Sequence, residues 1–272
     1  MVSTISLVLL GILQGLTEFL PVSSSGHLVI AQSFIPGFHQ PGVLFDVSLH
    51  LGTLAAVLVY FRRDLTDMAS SLLFLHNPAY ASARRLLWLL IVGSIPTALI
   101  GLLFRNEFEQ LFSDVQMAGW MFMVSGVLLF ATDRVRRGER ELQGMHVLDA
   151  LIVGLAQGLA ILPAISRSGA TIAAGVFMGL ERGLALRYSF LLSIPAIIGA
   201  FVLEAITHAA EWAQSIDVVG YGAGMVAAFL VGYWSIAVLL KMLRSRQFSL
   251  FAYYCWAVGG GVLLMEVFSL QP

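Results

Sequence analysis

The chain has 272 residues, 58% of them hydrophobic and only 11% charged, and its mean hydropathy is +0.88. Soluble domains carry about 25% charged residues, so this composition excludes a water-exposed surface and points to a single all-α membrane domain. A net charge of −1 excludes the basic footprint that nucleic acid requires, and the lone cysteine, Cys255, excludes a disulfide framework or a Cys-based metal site. Met1-Val2-Ser3-Thr4 carries no Lys or Arg ahead of its apolar stretch, so no signal-peptide n-region is expected.

Crossing hydrocarbon takes roughly 20 apolar residues as helix. In chain order, about 3–36 is apolar but interrupted at Pro21-Val22-Ser23-Ser24-Ser25-Gly26. Continuous segments follow at about 42–61, 86–104 and 115–131. A second interrupted region, about 146–180, breaks at Pro163-Ala164-Ile165-Ser166-Arg167-Ser168-Gly169. Further continuous segments lie at about 184–206, 218–240 and 248–268. The pieces on either side of each break are too short to span. The expectation is therefore six full transmembrane helices plus two re-entrant helix-loop-helix hairpins, since irregular backbone at membrane depth survives only against protein or a wet cavity.

Basic residues orient this arrangement. Thirteen of the fifteen, from Arg62 and Arg63 to Arg244 and Arg246, fall on one side if both broken regions return to the side they left. Only Arg105 falls on the other, and Arg167 lies in the second broken loop. That bias puts the first side in the cytoplasm and both termini outside.

The two broken regions also resemble each other. Gln14-Gly15-Leu16 matches Gln157-Gly158-Leu159 and Ser23-Ser24-Ser25-Gly26 matches Ser166-Arg167-Ser168-Gly169, both at an offset of 143. Three spans between the copies invert the second, giving an inverted-topology repeat of about 1–133 and 144–272.

Each Ser-rich loop leads into a helix, and helix N-termini bind anions through free N–H groups and partial positive charge. Gly26 and Gly169 remove a Cβ where a phosphate would approach the backbone, in loops that carry Ser23 and Ser25 and Ser166 and Ser168. Arg167 offers a planar fork for phosphate; the competing reading is a structural arginine paired with Glu18. Gln14 and Glu18, four apart, share a helix face and supply hard oxygen ligands for Mg²⁺ or Ca²⁺. Ser24 and His27, three apart, form a minimal nucleophile–base arrangement, set against a reading of the serines as helix caps. Asp46 and His50 share a face and stand as outer partners of the site or as a structural pair.

These residues carry a family resemblance. Gln14-Gly-Leu-Thr-Glu18-Phe-Leu-Pro-Val-Ser-Ser-Ser-Gly-His27 and Pro163-Ala-Ile-Ser-Arg-Ser-Gly-Ala-Thr171 resemble the two signatures of the bacterial undecaprenyl-pyrophosphate phosphatase family, as do Phe45–Thr53 and Ser189–Pro195. The resemblance implies an enzyme of the bacterial cytoplasmic membrane, its site opening to the outer face. Its substrate would be a polyprenyl pyrophosphate lipid, its cofactor a divalent cation, and its product the recycled carrier lipid of cell-wall synthesis; bacitracin resistance goes with that activity. It also implies roles by position: Glu18 and Gln14 for metal or proton transfer, Ser24 as nucleophile, His27 as essential histidine and Arg167 for phosphate, with Ser166, Ser168 and Thr171 completing the second motif. Two departures stand out, Gln14 in place of a carboxylate and Ala164 in place of glycine. Oligomeric state stays open, a homodimer included. The rival reading is a lipid-phosphate or anion transporter, because broken-helix inverted repeats are also a transporter architecture.

Overall fold

A computed structural model describes residues 3–38, 44–104, 115–135, 138–207, 217–243 and 248–269. Its helices are α1 (Thr4–Phe19), α2 (Ser24–Ser33), α3 (Leu44–Tyr60), α4 (Arg62–Leu73), α5 (Ala81–Leu103), α6 (Val115–Arg134), α7 (Val147–Leu159), α8 (Arg167–Phe177), α9 (Arg182–Thr207), α10 (Val218–Leu243) and α11 (Phe248–Ser269). No strand occurs among the described residues, only one isolated bridge between Arg140 and Leu180.

Among the described residues, five helices are long and apolar enough to cross a membrane, namely α5, α6, α9, α10 and α11. The segment expected at about 42–61 forms a helix of nearly that extent, shorter than these five. Its helix α3 has 17 residues and stops at the charged Arg62-Arg63-Asp64, where the chain turns by 73° into α4. Charges cannot continue into hydrocarbon without a large cost, so the direction changes where they begin. The two interrupted regions form helix pairs. The 16 residues of α1 and 13 of α7 reach about 24 and 20 Å as helix, short of a core of roughly 30 Å. Each packs against its successor, α1 on α2 and α7 on α8.

Packing between helices follows small residues. In lipid no hydrophobic force drives helices together, so close backbone approach supplies the contact. A Cβ on Gly15 of α1 would lie 2.8 Å from the backbone of Ala228 and Gly232 in α10. Short α7 packs on α5 in the same manner, and α3 and α9 meet each other as well as α10 and α5 respectively. Outward faces stay apolar: Trp88, Ile91, Ile95, Leu99 and Leu102 of α5 are at least half exposed at helical spacing, as a lipid-facing stripe requires.

Charges gather at one end of the bundle. Arg187 pairs with Asp64, Arg182 lies 3.4 Å from Asp133, and Arg140 grips Asp149 through two contacts of 2.9 and 3.0 Å. Arg85 donates to the carbonyls of Leu142 and Met145 at 3.0 and 2.7 Å. These contacts tie together the loops that the charge count placed on a single side.

Candidate active site

The loops of both helix pairs come together in the interior. Ser23 is the N-cap of α2 and its hydroxyl accepts from Gly26 N–H at 3.3 Å; Ser166 is the N-cap of α8 and accepts from Gly169 N–H at 3.0 Å. The two caps, 143 residues apart in sequence, repeat the same bond. Ser25 and Ser168 bridge outward, Ser25 Oγ accepting from Ala164 N–H at 3.3 Å and Ser168 Oγ donating to the Leu20 carbonyl at 3.4 Å. Each hairpin thus holds the other's loop. Gly26 makes the contact possible, because a Cβ there would sit 2.6 Å from Ala164 Cβ and 2.7 Å from the Phe122 ring.

Ser23 and Ala164 both adopt left-handed backbone, at φ 66° and 63°. A side chain costs about 1–2 kcal/mol in that region, so Ala164 bears the strain that glycine would avoid. Ser125 of α6 holds the turn: its hydroxyl donates to Ala164 C=O at 3.1 Å and accepts from Ser166 N–H at 3.2 Å.

Glu18, with a side chain only 3% exposed, is the hub. One carboxylate oxygen accepts from Arg167. The other accepts from Ser24 Oγ at 2.5 Å and from Gln14 Nε2 at 2.9 Å, with His50 Nε2 at 3.4 Å. The α1 terminus, the α2 and α8 N-termini and α3 therefore meet on a single carboxylate. His50 is set from behind by its own helix, Nδ1 donating to Asp46 C=O at 2.7 Å, while the Asp46 carboxylate accepts from Gln32 at 2.5 Å.

His27 lies elsewhere than expected. Its Nδ1 is 2.6 Å from Ser23 C=O and its Nε2 is 2.7 Å from the Tyr254 hydroxyl of α11. Both ring nitrogens are thus engaged away from Ser24, and the base in contact with Ser24 is Glu18. This corrects the expected direct Ser24–His27 pair: the capping turn directs the imidazole back to the Ser23 carbonyl instead of along the helix face. Thr171 is also withdrawn from the loop. Its hydroxyl donates to Arg167 C=O at 2.8 Å and meets Ser189 Oγ at 2.6 Å, fastening α8 to α9. Sequence reasoning misses Tyr254, Ser125 and Gln32: the first two reach the site from distant helices, and Gln32 lies on α2 itself, one polar residue following an apolar run.

For a divalent cation, the chain offers the Glu18 carboxylate and Gln14 Oε1, a fully buried oxygen without a hydrogen-bond partner. Among the described residues no cluster of three or more His, Cys, Asp or Glu side chains could hold a metal. Two hard oxygens are ligands of the kind that Mg²⁺ or Ca²⁺ takes jointly with substrate phosphate; they do not make a closed protein cage.

A polytopic helical membrane protein with a buried polar centre between two broken helix pairs is the class that this fold and site define. A family model described as bacitracin resistance protein BacA matches residues 7–261, and the chain belongs to that family. It is 50% identical over 253 residues to the undecaprenyl-diphosphatase of Syntrophotalea carbinolica, covering 93% of this chain and 95% of that protein. It is 45% identical to the undecaprenyl-diphosphatase of Desulfosudis oleivorans (94% and 96% covered) and 39% identical to that of Methanobrevibacter smithii (94% and 95% covered).

Proposed function

We propose that this chain hydrolyses undecaprenyl pyrophosphate to undecaprenyl phosphate and inorganic phosphate, recycling the lipid carrier of cell-wall synthesis in the cytoplasmic membrane. The observation that carries the reading is the single Glu18 carboxylate shared by a serine hydroxyl and an arginine between two helix N-termini. Transport of an anion would need no nucleophile held against a proton acceptor, and the relatives' name is that of a hydrolase.

Arg167 is the first point of contact for substrate. The pyrophosphate competes with Glu18 for the guanidinium fork, which favours phosphate oxygens through two parallel bonds. Release of the arginine leaves the carboxylate free to accept the Ser24 proton. Ser24 Oγ then attacks the terminal phosphorus: the Oγ–P bond forms, the bond to the bridging oxygen breaks, and undecaprenyl phosphate leaves with that electron pair. Water cleaves the phosphoserine in a second step, and Ser24 recovers its proton. His27, one turn further along α2, serves the proton transfer of that second step. Helix N-termini and Arg167 stabilise charge on the transferring group, where positioning and electrostatics supply most of the catalysis. Glu18 and Gln14 would hold a divalent cation, which when bound neutralises phosphate charge. The backbone at Ser23–Gly26 and Ser166–Gly169 lines the phosphate; Thr171 supports α8 from behind.

Both helix pairs are re-entrant in this reading, and α3 supplies the sixth span, ending where the charges of α4 begin. The reciprocal packing of α1 on α10 and α7 on α5 supports an inverted repeat. The charged end faces the cytoplasm, both termini lie outside and the site opens to the outer face. Phosphate release by purified protein from undecaprenyl and farnesyl pyrophosphates tests the function: release from the former is expected, and none from either would refute it.

A further inference from the structure

We infer that Tyr254 is a positioning residue for His27, holding its imidazole in one ring plane and one tautomer. The inference rests on the hydrolase reading, in which His27 handles a proton. A carbonyl oxygen can only accept, so the 2.6 Å contact with Ser23 C=O requires a proton on Nδ1. In the neutral ring Nε2 is then the bare, basic nitrogen, and the Tyr254 hydroxyl donates to it at 2.7 Å. The rings of Tyr254 and His27 lie nearly parallel, 9° apart with centroids at 5.6 Å, while Phe122 of α6 meets the imidazole edge-on at 5.1 Å. Three helices, α2, α6 and α11, therefore fix one histidine.

Packing does not account for the hydroxyl. Tyr254 is 44% exposed on the outside of α11, where a phenylalanine would serve lipid equally well. Its oxygen turns back to the ring nitrogen on which proton transfer depends. The backbone at Ser23, strained at φ 66°, aims the carbonyl from the opposite side. Ser23 and Tyr254 thus act as the two ends of a clamp.

Tyr254→Phe keeps the ring and removes only the hydroxyl, so the variant should unfold at the wild-type temperature. Turnover of undecaprenyl pyrophosphate by purified full-length protein should fall about tenfold in kcat, the size of one net hydrogen bond, with KM unchanged. In a His27→Gln background the same substitution should cost nothing further. Nitrogen-15 spectra of labelled histidine should show a single tautomer for His27 in the wild type and a mixture in Tyr254→Phe. Wild-type kcat with an unmixed spectrum in Tyr254→Phe, or an equal loss in both backgrounds, would overturn the inference. Wild-type turnover in His27→Gln would instead remove His27 from the proposed chemistry, and the spectra would still decide whether Tyr254 orders the ring.

Discussion

Arg167 and Glu18, 149 residues apart in the chain, form an ion pair that joins the two broken helix pairs. Glu18 is nearly inaccessible, so deleting its partner would strand a buried charge at a cost of about 3–5 kcal/mol. The same contact is a lock in the resting protein and, in the proposed reaction, the fork that phosphate captures.

Arg167→Lys separates these roles. Lysine keeps the charge opposite Glu18 but cannot offer two parallel donors. The protein should insert and fold normally while kcat falls about 100-fold, in line with loss of a transition-state donor. Near-normal phosphate release from folded Arg167→Lys protein would reduce Arg167 to a structural partner.

Glu18→Gln removes the acceptor for the Ser24 proton and the carboxylate arm for a cation. Turnover should be abolished, and EDTA should abolish it in the wild type, with recovery on adding Mg²⁺ or Ca²⁺. Full activity of the wild type in EDTA would take the cation out of the chemistry and leave Arg167 and the helix N-termini as the charge stabilisers.

Gly26 and Ala164 face each other across the hairpin contact and should respond in opposite directions. Gly26→Ala places a methyl within 2.6–2.7 Å of Ala164 and Phe122 and should inactivate the enzyme. Ala164→Gly relieves positive φ and should preserve activity while raising stability by up to about 1 kcal/mol, measured by thermal unfolding in detergent. Lower stability in Ala164→Gly would mean that the buried methyl outweighs the backbone strain.

The first motif was legible in the sequence because helix geometry relates its members locally: Gln14 and Glu18 are one turn apart, and Ser23 caps the helix that Ser24 begins. The Glu18–Arg167 pair could be anticipated, as a structural alternative, because the two Ser-rich loops match in sequence. What escaped was set by tertiary approach. Tyr254 lies 227 residues from His27 inside an apolar helix, and Ser125 is one of two hydroxyls in another. The spacing of Ser24 and His27 suits a shared helix face, but the strained capping turn overrides it and turns the imidazole to the Ser23 carbonyl. Thr171 had the right residue type for phosphate, yet its position on α8 turns it toward Ser189. At α3, by contrast, the apolar run of about 42–61 and the helix Leu44–Tyr60 end together, because the charges from Arg62 onward stop both.

Topology can be measured directly. A reporter inserted within 138–144 should be active only inside, and one following Leu270 only outside, because the basic residues collect at one end of the bundle. Both reporters on the same side would refute the six-span arrangement with two re-entrant pairs.

The central claim is that Ser24, with its proton passing to Glu18, attacks the terminal phosphorus. A serine hydroxyl is a weak nucleophile until a base takes its proton, and the 2.5 Å contact places that acceptor. The most direct measurement is an acid quench of enzyme turning over undecaprenyl pyrophosphate labelled in its terminal phosphate. Label should remain on the protein, survive acid as phosphoserine, map to Ser24 and vanish in Ser24→Ala. An acid-labile adduct that persists in Ser24→Ala and disappears in His27→Ala, or turnover with no adduct at all, would contradict it.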